Sequence, residues 1–153
     1  MRKLIILLLV IFNTSCGFKK VYEISNEDNL ILRQIEVKHQ NDRLHQVLRQ
    51  NFEDLLLKQT GKKYLLEFDI KSTDTDAITG ASGNPSRISI TVSANFVLKN
   101  INSNKVVKKG NVSAYDEYDV DDNRFANYSS NDEIKIELTR ILARKIRNQI
   151  IDS

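Results

Sequence analysis

The sequence predicts an α+β domain, a two-layer sandwich in which about four strands form a mostly antiparallel or mixed sheet with two helices packed on one face. The strongest evidence is residues 87–98, where apolar and polar side chains alternate over twelve positions. In addition, apolar residues recur at three- and four-residue spacing in segments 43–58 and 130–151, which indicates two amphipathic helices. An alternating strand beside such helices is typical of a sheet that is covered on one side.

The strand at 87–98 is the predicted centre of this sheet. Its apolar face consists of Ile88, Ile90, Val92, Ala94, Phe96 and Leu98. Its polar face consists of Arg87, Ser89, Thr91, Ser93 and Asn95. Because the two faces differ so sharply, we expect the first to lie against the helices and the second to face water or a partner.

The N-terminal segment has the features of a bacterial lipoprotein signal. Arg2 and Lys3 precede nine apolar residues, 4–12, which would span only about 14 Å as a helix and are too short to cross a bilayer core. Cys16 follows shortly afterwards and is the only cysteine of the chain. It therefore cannot form an intramolecular disulfide or a cysteine metal site.

We expect cleavage before Cys16, followed by acylation of the new N-terminal residue. Residues 1–15 are then a signal peptide, residues 16–29 a lipidated tether and residues 30–153 a single domain. Gly17, in place of an aspartate after the cysteine, predicts sorting to the outer membrane, on its periplasmic side. The alternative is an ordinary cleaved leader in which the cysteine is incidental.

The first half of the domain is predicted to run strand, helix, strand. Residues 30–39 are the first strand, and Asp42 caps a helix over 43–58 that Gly61 ends. Apolar side chains alternate again over 64–71, which predicts the second strand.

The second half is predicted to hold two strands and the final helix. Residues 72–86 are rich in Gly, Ser, Thr and Asp, which favours a long loop or a ragged hairpin tip. Residues 106–118 return as the hairpin partner of the central strand, with a bulge at Gly110. After an irregular stretch at 119–129, a capping box at 130–133 opens the helix that runs to about Ile151.

Charge and histidine content argue against nucleic-acid binding and against catalysis. The chain has 23 basic and 20 acidic residues, and without Arg2 and Lys3 the basic residues exceed the acidic ones by only one. It therefore lacks the excess of positive charge that is typical of nucleic-acid-binding domains. His39 and His45 are the only histidines, and neither has a cysteine nucleophile or a serine motif beside it. We therefore predict that the protein is not an enzyme.

One acidic segment imitates the opening of a calcium loop. Asp119, Asp121 and Asn123 have the required spacing, but Arg124 replaces the necessary glycine and Ser130 the final glutamate. We predict no metal site here and no cofactor apart from the lipid on Cys16.

Three lysines lie close together at one end of the last strand. Lys105, Lys108 and Lys109 either guard a sheet edge against pairing with other chains or form an anion site. The sequence leaves both interpretations open.

The chain as a whole resembles a known family, the LPS-assembly lipoproteins (LptE), in the short form of alphaproteobacterial-like sequences. The matching features are Cys16-Gly17-Phe18, the strand and helix within 30–58, and Gly110-x-x-x-Ala114-Tyr115 leading through Phe125-Ala126 into the last helix. The resemblance implies an outer-membrane lipoprotein that plugs the barrel protein LptD and helps place lipopolysaccharide in the outer leaflet. The alternative is a lipid-anchored periplasmic protein that binds a small ligand or acts as an envelope adaptor.

If the chain is such a plug, loops at the sheet ends are expected to meet the barrel and the lipopolysaccharide phosphates. The candidate contacts are Arg87 and Arg124, because arginine binds phosphate through paired hydrogen bonds. Lys105, Lys108 and Lys109 are the second choice.

Overall fold

The structure is a computed structural model that describes residues 30–80 and 83–152. Its four strands are β1 (Ile35–Val37), β2 (Tyr64–Thr79), β3 (Pro85–Asn100) and β4 (Val106–Asp119), and its two long helices are α1 (Arg43–Glu53) and α2 (Arg124–Ile151). The sheet order is β1-β2-β3-β4. Since β1 is parallel to β2 and the other pairs are antiparallel, the sheet is mixed and the predicted α+β class is confirmed. The predicted signal peptide and tether lie outside the described residues.

The faces predicted for the central strand are confirmed. Five of its six apolar residues are buried and Ile88 packs against the core at its rim. On the helical side, Phe52 of α1 meets Phe68 of β2 edge to face at 5.8 Å between ring centroids. The buried stripe of α2 consists of Leu138, Leu142, Ala143, Ile146 and Ile150. One core therefore fills the space between the helices and a single face of the sheet.

Of the two structures predicted for 72–86, the long loop is wrong, whereas the hairpin tip with irregular pairing is confirmed by register shifts between Asp76 and Thr79. β2 continues to Thr79, which lies opposite Pro85, the first residue of β3. Within the segment predicted as a loop, Ser72 lies opposite Val92 and Asp76 opposite Ile88. At the tip, Gly83 has a φ of 80° and donates its N–H to the carbonyl of Gly80. Residues 73–79 are exposed on both faces, so they carry no alternating apolar signal and resemble a loop in sequence.

The first strand and first helix are both shorter than predicted. Residues 30–32 form a helical turn, and only Ile35–Val37 is strand. Asp42 caps α1 as expected, accepting from the amides of Leu44 and His45 at 3.1 and 3.3 Å. The helix ends at Glu53 and not near 58, so Gly61 does not terminate it. Leu55 and Leu56 pack on the core from a turn, which is why the helical spacing continued past the helix.

The last helix starts six residues before the predicted capping box. Asn123 is its N-cap and accepts from the amide of Phe125 at 3.0 Å, while Ser130 lies inside the helix. Asn127 strengthens this start by hydrogen bonds with both backbone groups of Asp121, at 2.7 and 2.8 Å. The first turns of α2 carry no buried apolar residue, so their helical character left no periodic signal.

No bulge is present at Gly110. This residue pairs in register with Phe96, and the irregularity of β3 and β4 lies between Leu98 and Lys99. A Cβ atom at position 110 would meet the end of the flexible Gln149 side chain and would come within 2.7 Å of the ring of Phe96, which is fixed in the core. The glycine is therefore needed because an aromatic side chain occupies the space of its missing Cβ atom.

Candidate functional site

The strand directions divide the molecule into two ends. We call residues 76–80, 83–89 and 116–128 the hairpin end, since Ile78 pairs with Arg87 and Arg87 with Asp119. We call Leu30, residues 62–64 and residues 99–109 the basal end, because Tyr64 pairs with Asn100 and the amide of Ile101 donates to Lys63. The predicted contacts are thus separated: Arg87 and Arg124 lie at the hairpin end, and Lys105, Lys108 and Lys109 at the basal end.

Arg87 is already engaged by carboxylates. Its guanidinium donates to Asp119 at 2.8 Å and lies 3.9 Å from Glu117, both on the adjacent strand. The hydrogen bond with Asp119 raises the pKa of Arg87, and the same bond lowers the pKa of Asp119. A phosphate that approaches Arg87 therefore competes with Asp119 for the guanidinium group. The sequence did not reveal this pairing because it depends on the register of β3 and β4.

Arg124 is the first residue of α2 and is exposed. Within the described residues it forms no salt bridge, so its guanidinium is accessible to an anion. Of the two arginines, the structure therefore leaves Arg124 better suited than Arg87 to bind a phosphate group.

The three lysines differ from one another. Lys108 lies on the helical side of the edge strand and donates to the carbonyl of Asp152 at 2.8 Å. Lys105 and Lys109 are exposed and form no salt bridge among the described residues. The group predicted as a trio therefore contains two accessible cations and one that holds the end of α2.

Charged pairs neutralise much of the open face of the sheet. Glu67 accepts from Lys99 at 2.6 Å and from Lys38 at 2.9 Å, and the hydrogen bonds from Lys99 and then Lys38 lower the pKa of its carboxyl group. On the same face, the side chain of Asn111 on β4 donates to the side chain of Asn95 on the adjacent strand β3 at 2.8 Å. The face predicted to be wet is thus a hydrogen-bonded polar surface with few uncompensated charges.

Asp74 ties the long hairpin to α2. Its Oδ2 accepts from Asn131 and from Lys135, each at 2.9 Å. Burial raises the pKa of Asp74, but the hydrogen bonds from Asn131 and Lys135 outweigh it and the pKa is lowered overall. Nothing in the sequence indicates this contact, which joins residues about sixty positions apart.

The remaining polar candidates have structural roles. Asp42 also accepts from His45 Nδ1 at 3.0 Å, and this bond lowers the pKa of Asp42. In the segment that imitates a calcium loop, the side chain of Asp121 accepts from the amide of Asn123 and helps to start α2. Among the described residues, no group of three or more His, Cys, Asp or Glu could hold a metal ion. Nor does any helix in this part of the chain have the length and apolarity to cross a membrane.

A polar cavity of about 540 Å³ lies between β1 and α1. Arg49 lines it and pairs with Glu53 at 3.3 Å, but among the described residues the buried Nε atom of Arg49 has no hydrogen-bond partner. The other charged residues of its wall are Glu36, Lys38 and Lys62. The cavity suits a small polar molecule better than an acyl chain, because its walls are charged.

Comparisons with known proteins agree with this architecture. The LptE family model, described as lipopolysaccharide-assembly, matches residues 32–150. No curated protein matches the chain in sequence.

A solved lipoprotein from Caulobacter crescentus has 19% identity and a TM-score of 0.66, covering 82% of this chain and 93% of its own. A minor lipoprotein from Acinetobacter baumannii has 15% identity and a TM-score of 0.57, covering 77% and 88%. Rare lipoprotein B from Shewanella oneidensis has 11% identity and a TM-score of 0.52, covering 77% and 89%. At these identities, the solved structures establish the shared fold.

Proposed function

Because the chain belongs to the LptE family of lipopolysaccharide-assembly proteins, we propose that it is an outer-membrane lipoprotein that plugs the barrel protein LptD. In this role it helps LptD to place lipopolysaccharide in the outer leaflet. The family match carries the proposal, since it extends over 32–150 and therefore includes both helices and all four strands.

The open face of the sheet supports a position inside a water-lined barrel. Its charges are largely compensated within the face, as at Glu67, so it can approach a polar wall without leaving buried charges unpaired. The two helices already cover the opposite face, which leaves the open face and the two ends for contacts with the barrel.

The proposed anchor is a lipid on Cys16, joined to the domain by residues 16–29. Acyl chains contribute about 0.8 kcal/mol per buried CH₂ group, and two or more chains hold a protein stably on a membrane. The anchor would keep the domain on the periplasmic side of the outer membrane while the barrel encloses it.

For lipopolysaccharide contacts, Arg124 is the first candidate and Arg87 the second. Arg124 is accessible, whereas Arg87 is already paired with Asp119. Lys105, Lys108 and Lys109 at the other end are a separate group of candidates. In this proposal, a phosphate that replaced Asp119 as the partner of Arg87 would remove a side-chain contact between β3 and β4, so lipopolysaccharide binding would affect the pairing of these two strands.

Purification from the outer membrane tests the partnership. We expect the full chain to co-purify in a stable complex with LptD, and Cys16→Ser to remain an unprocessed precursor with a correctly folded domain. Mass spectrometry of the N-terminus reports the anchor separately from the complex. A wild-type chain that is a monomer in detergent, with LptD absent, would contradict the plug.

The cavity beside Arg49 supports a second candidate, a lipid-anchored periplasmic protein that binds a small ligand or acts as an adaptor. An anion in this cavity would give the Nε atom of Arg49 the partner that it lacks. Binding of a small anion that is lost in Arg49→Met, in a chain that does not co-purify with LptD, would favour this alternative.

A further inference from the structure

The basal end exposes aliphatic side chains that the core does not use. Leu30, Ile101, Val106 and Val107 are each between 43 and 55% exposed. They come from the start of the domain before β1, the β3–β4 turn and the first residues of β4, so the outermost of them are three inter-strand spacings apart. At about 4.8 Å per strand, these side chains are spread over roughly 15 Å of one end of the molecule.

Lysines surround these aliphatic residues. Segment 99–109 contains four lysines and no carboxylate. Lys99 is neutralised by Glu67, and Lys108 is bound to the carbonyl of Asp152, but Lys105 and Lys109 remain exposed. The basal end therefore combines exposed aliphatic groups with accessible positive charge.

The opposite end has the opposite charge. Segment 116–122 at the far end of β4 contains five carboxylates and no cation. The seven residue steps along β4 from Lys109 to Asp116 separate the nearest members of the two segments by roughly 23 Å at about 3.3 Å per residue. In the field of an anionic surface, this charge distribution favours one orientation, with the basal end towards the surface.

The chain also enters the domain at this end. Leu30 precedes the turn next to β2, where Gln34 accepts from Lys63, so residues 16–29 connect to the basal end. Fourteen residues reach at most about 50 Å. An anchor on Cys16 would therefore hold the basal end close to the bilayer at a high effective concentration.

From these observations we propose that the basal end docks on the surface of a bilayer that contains anionic phospholipids. Val106, Val107 and Ile101 enter the boundary between headgroups and acyl chains, and Lys105 and Lys109 bind the lipid phosphates. Docking fixes the orientation of the domain, with the hairpin end away from the lipid surface. The inference rests on the anchoring part of the proposed function, but it assigns a membrane contact to the folded domain itself.

The composition of the basal end favours lipid over a protein partner. Protein interfaces are enriched in Trp, Tyr, Phe and Arg and depleted in Lys. Among its exposed residues, the basal end offers aliphatic groups and lysine, whereas the exposed aromatics Tyr115, Phe125 and Tyr128 lie beside or within the hairpin end. Lysine next to small aliphatic groups suits a headgroup region, where the lysine stem can lie among apolar groups while its ammonium group meets phosphate.

A single-tryptophan experiment tests the proposed orientation, since the chain contains no Trp. Val107→Trp is placed in the full chain, and Phe125→Trp serves as a control at the other end. Each protein is mixed with vesicles of phosphatidylcholine that contain or lack phosphatidylglycerol, with bromine-labelled acyl chains as quencher. We expect quenching of Trp at 107, but not at 125, and only with phosphatidylglycerol. Ile101→Trp gives a second reporter if Val107→Trp disturbs β4.

Charge variants test the role of the lysines. One kcal/mol per lysine near an anionic surface corresponds to about a fivefold change, so Lys105→Glu with Lys109→Glu should lower the ratio of docked to undocked protein by at least about 25-fold. Lys71→Glu with Arg144→Glu makes the same charge change at exposed positions away from the basal end and should leave the quenching unchanged.

Three results would overturn the proposal. These are equal quenching at 107 and 125, quenching at 107 that does not need phosphatidylglycerol, and binding of lipopolysaccharide micelles by the lysines without binding to phospholipid vesicles. Failure of the anchor is distinguishable, because it appears in the mass of the N-terminal residue and leaves the comparison of the two tryptophan positions readable.

Discussion

At the scale of single residues, Gly110 shows how one atom can decide the packing of an edge strand. The Phe96 ring fills the place of its Cβ, so Gly110→Ala should destabilise the domain by about 1–3 kcal/mol, the usual cost of overpacking. Gly61→Ala is the control, because nothing lies within 4 Å of its added Cβ and its φ is not positive. Urea denaturation measures both, and equal stabilities would show that Phe96 can move aside at little cost.

A second residue-scale prediction concerns Asp74 and pH. Its folded-state pKa is lowered, so its contribution to stability is present above the unfolded pKa near 3.8 and is lost as pH falls through the folded pKa. Asp74→Asn should therefore be less stable than wild type at pH 7, by less than about 1 kcal/mol because the side chain is 39% exposed. The difference should shrink as pH falls below 4. Denaturation series of the two proteins across pH measure the difference, and a difference that stays constant below pH 4 would contradict the prediction.

At the scale of elements, two sequence features are competing candidates for the N-terminus of α2. Asn123 is the N-cap, whereas Ser130 lies within the helix although it begins a good capping-box sequence. Asn123→Ala should cost about 1 kcal/mol, and Ser130→Ala should be nearly neutral. Thermal melts of the two variants give the comparison. A larger loss for Ser130→Ala would place the functional start of the helix at the capping box.

At the scale of the whole molecule, all stability depends on one core between two layers. Val92 is fully buried against the helices, while Thr91 is exposed on the open face. Val92→Asp should unfold the domain, because it buries an unpaired carboxylate, and Leu142→Asp should do the same from the helical layer. Thr91→Asp should leave a folded domain. Circular dichroism melts rank the three, and Thr91→Asp as the most damaging would reverse the two faces.

The sequence by itself determined the fold class, the two faces of β3 and the buried stripe of α2. These features share a physical cause. The buried face of a strand needs an apolar residue at every second position, and that of a helix at every third or fourth position, so both patterns can be read from the local sequence. The same cause explains the errors. Residues 73–79 and the first turns of α2 are exposed, so burial imposed no pattern on them, and their polar residues resembled loops.

Tertiary structure alone decided the contacts between distant segments. The register of β3 and β4 brought Asp119 to Arg87 and Phe96 to Gly110, and the packing of α2 brought Lys135 to Asp74. Tertiary structure also placed the five candidate cations at opposite ends of the molecule, one rich in carboxylates and one rich in lysines, although Arg87 and Lys105 are only eighteen positions apart. Such contacts depend on the position of a second segment in space, and local periodicity carries no information about that position.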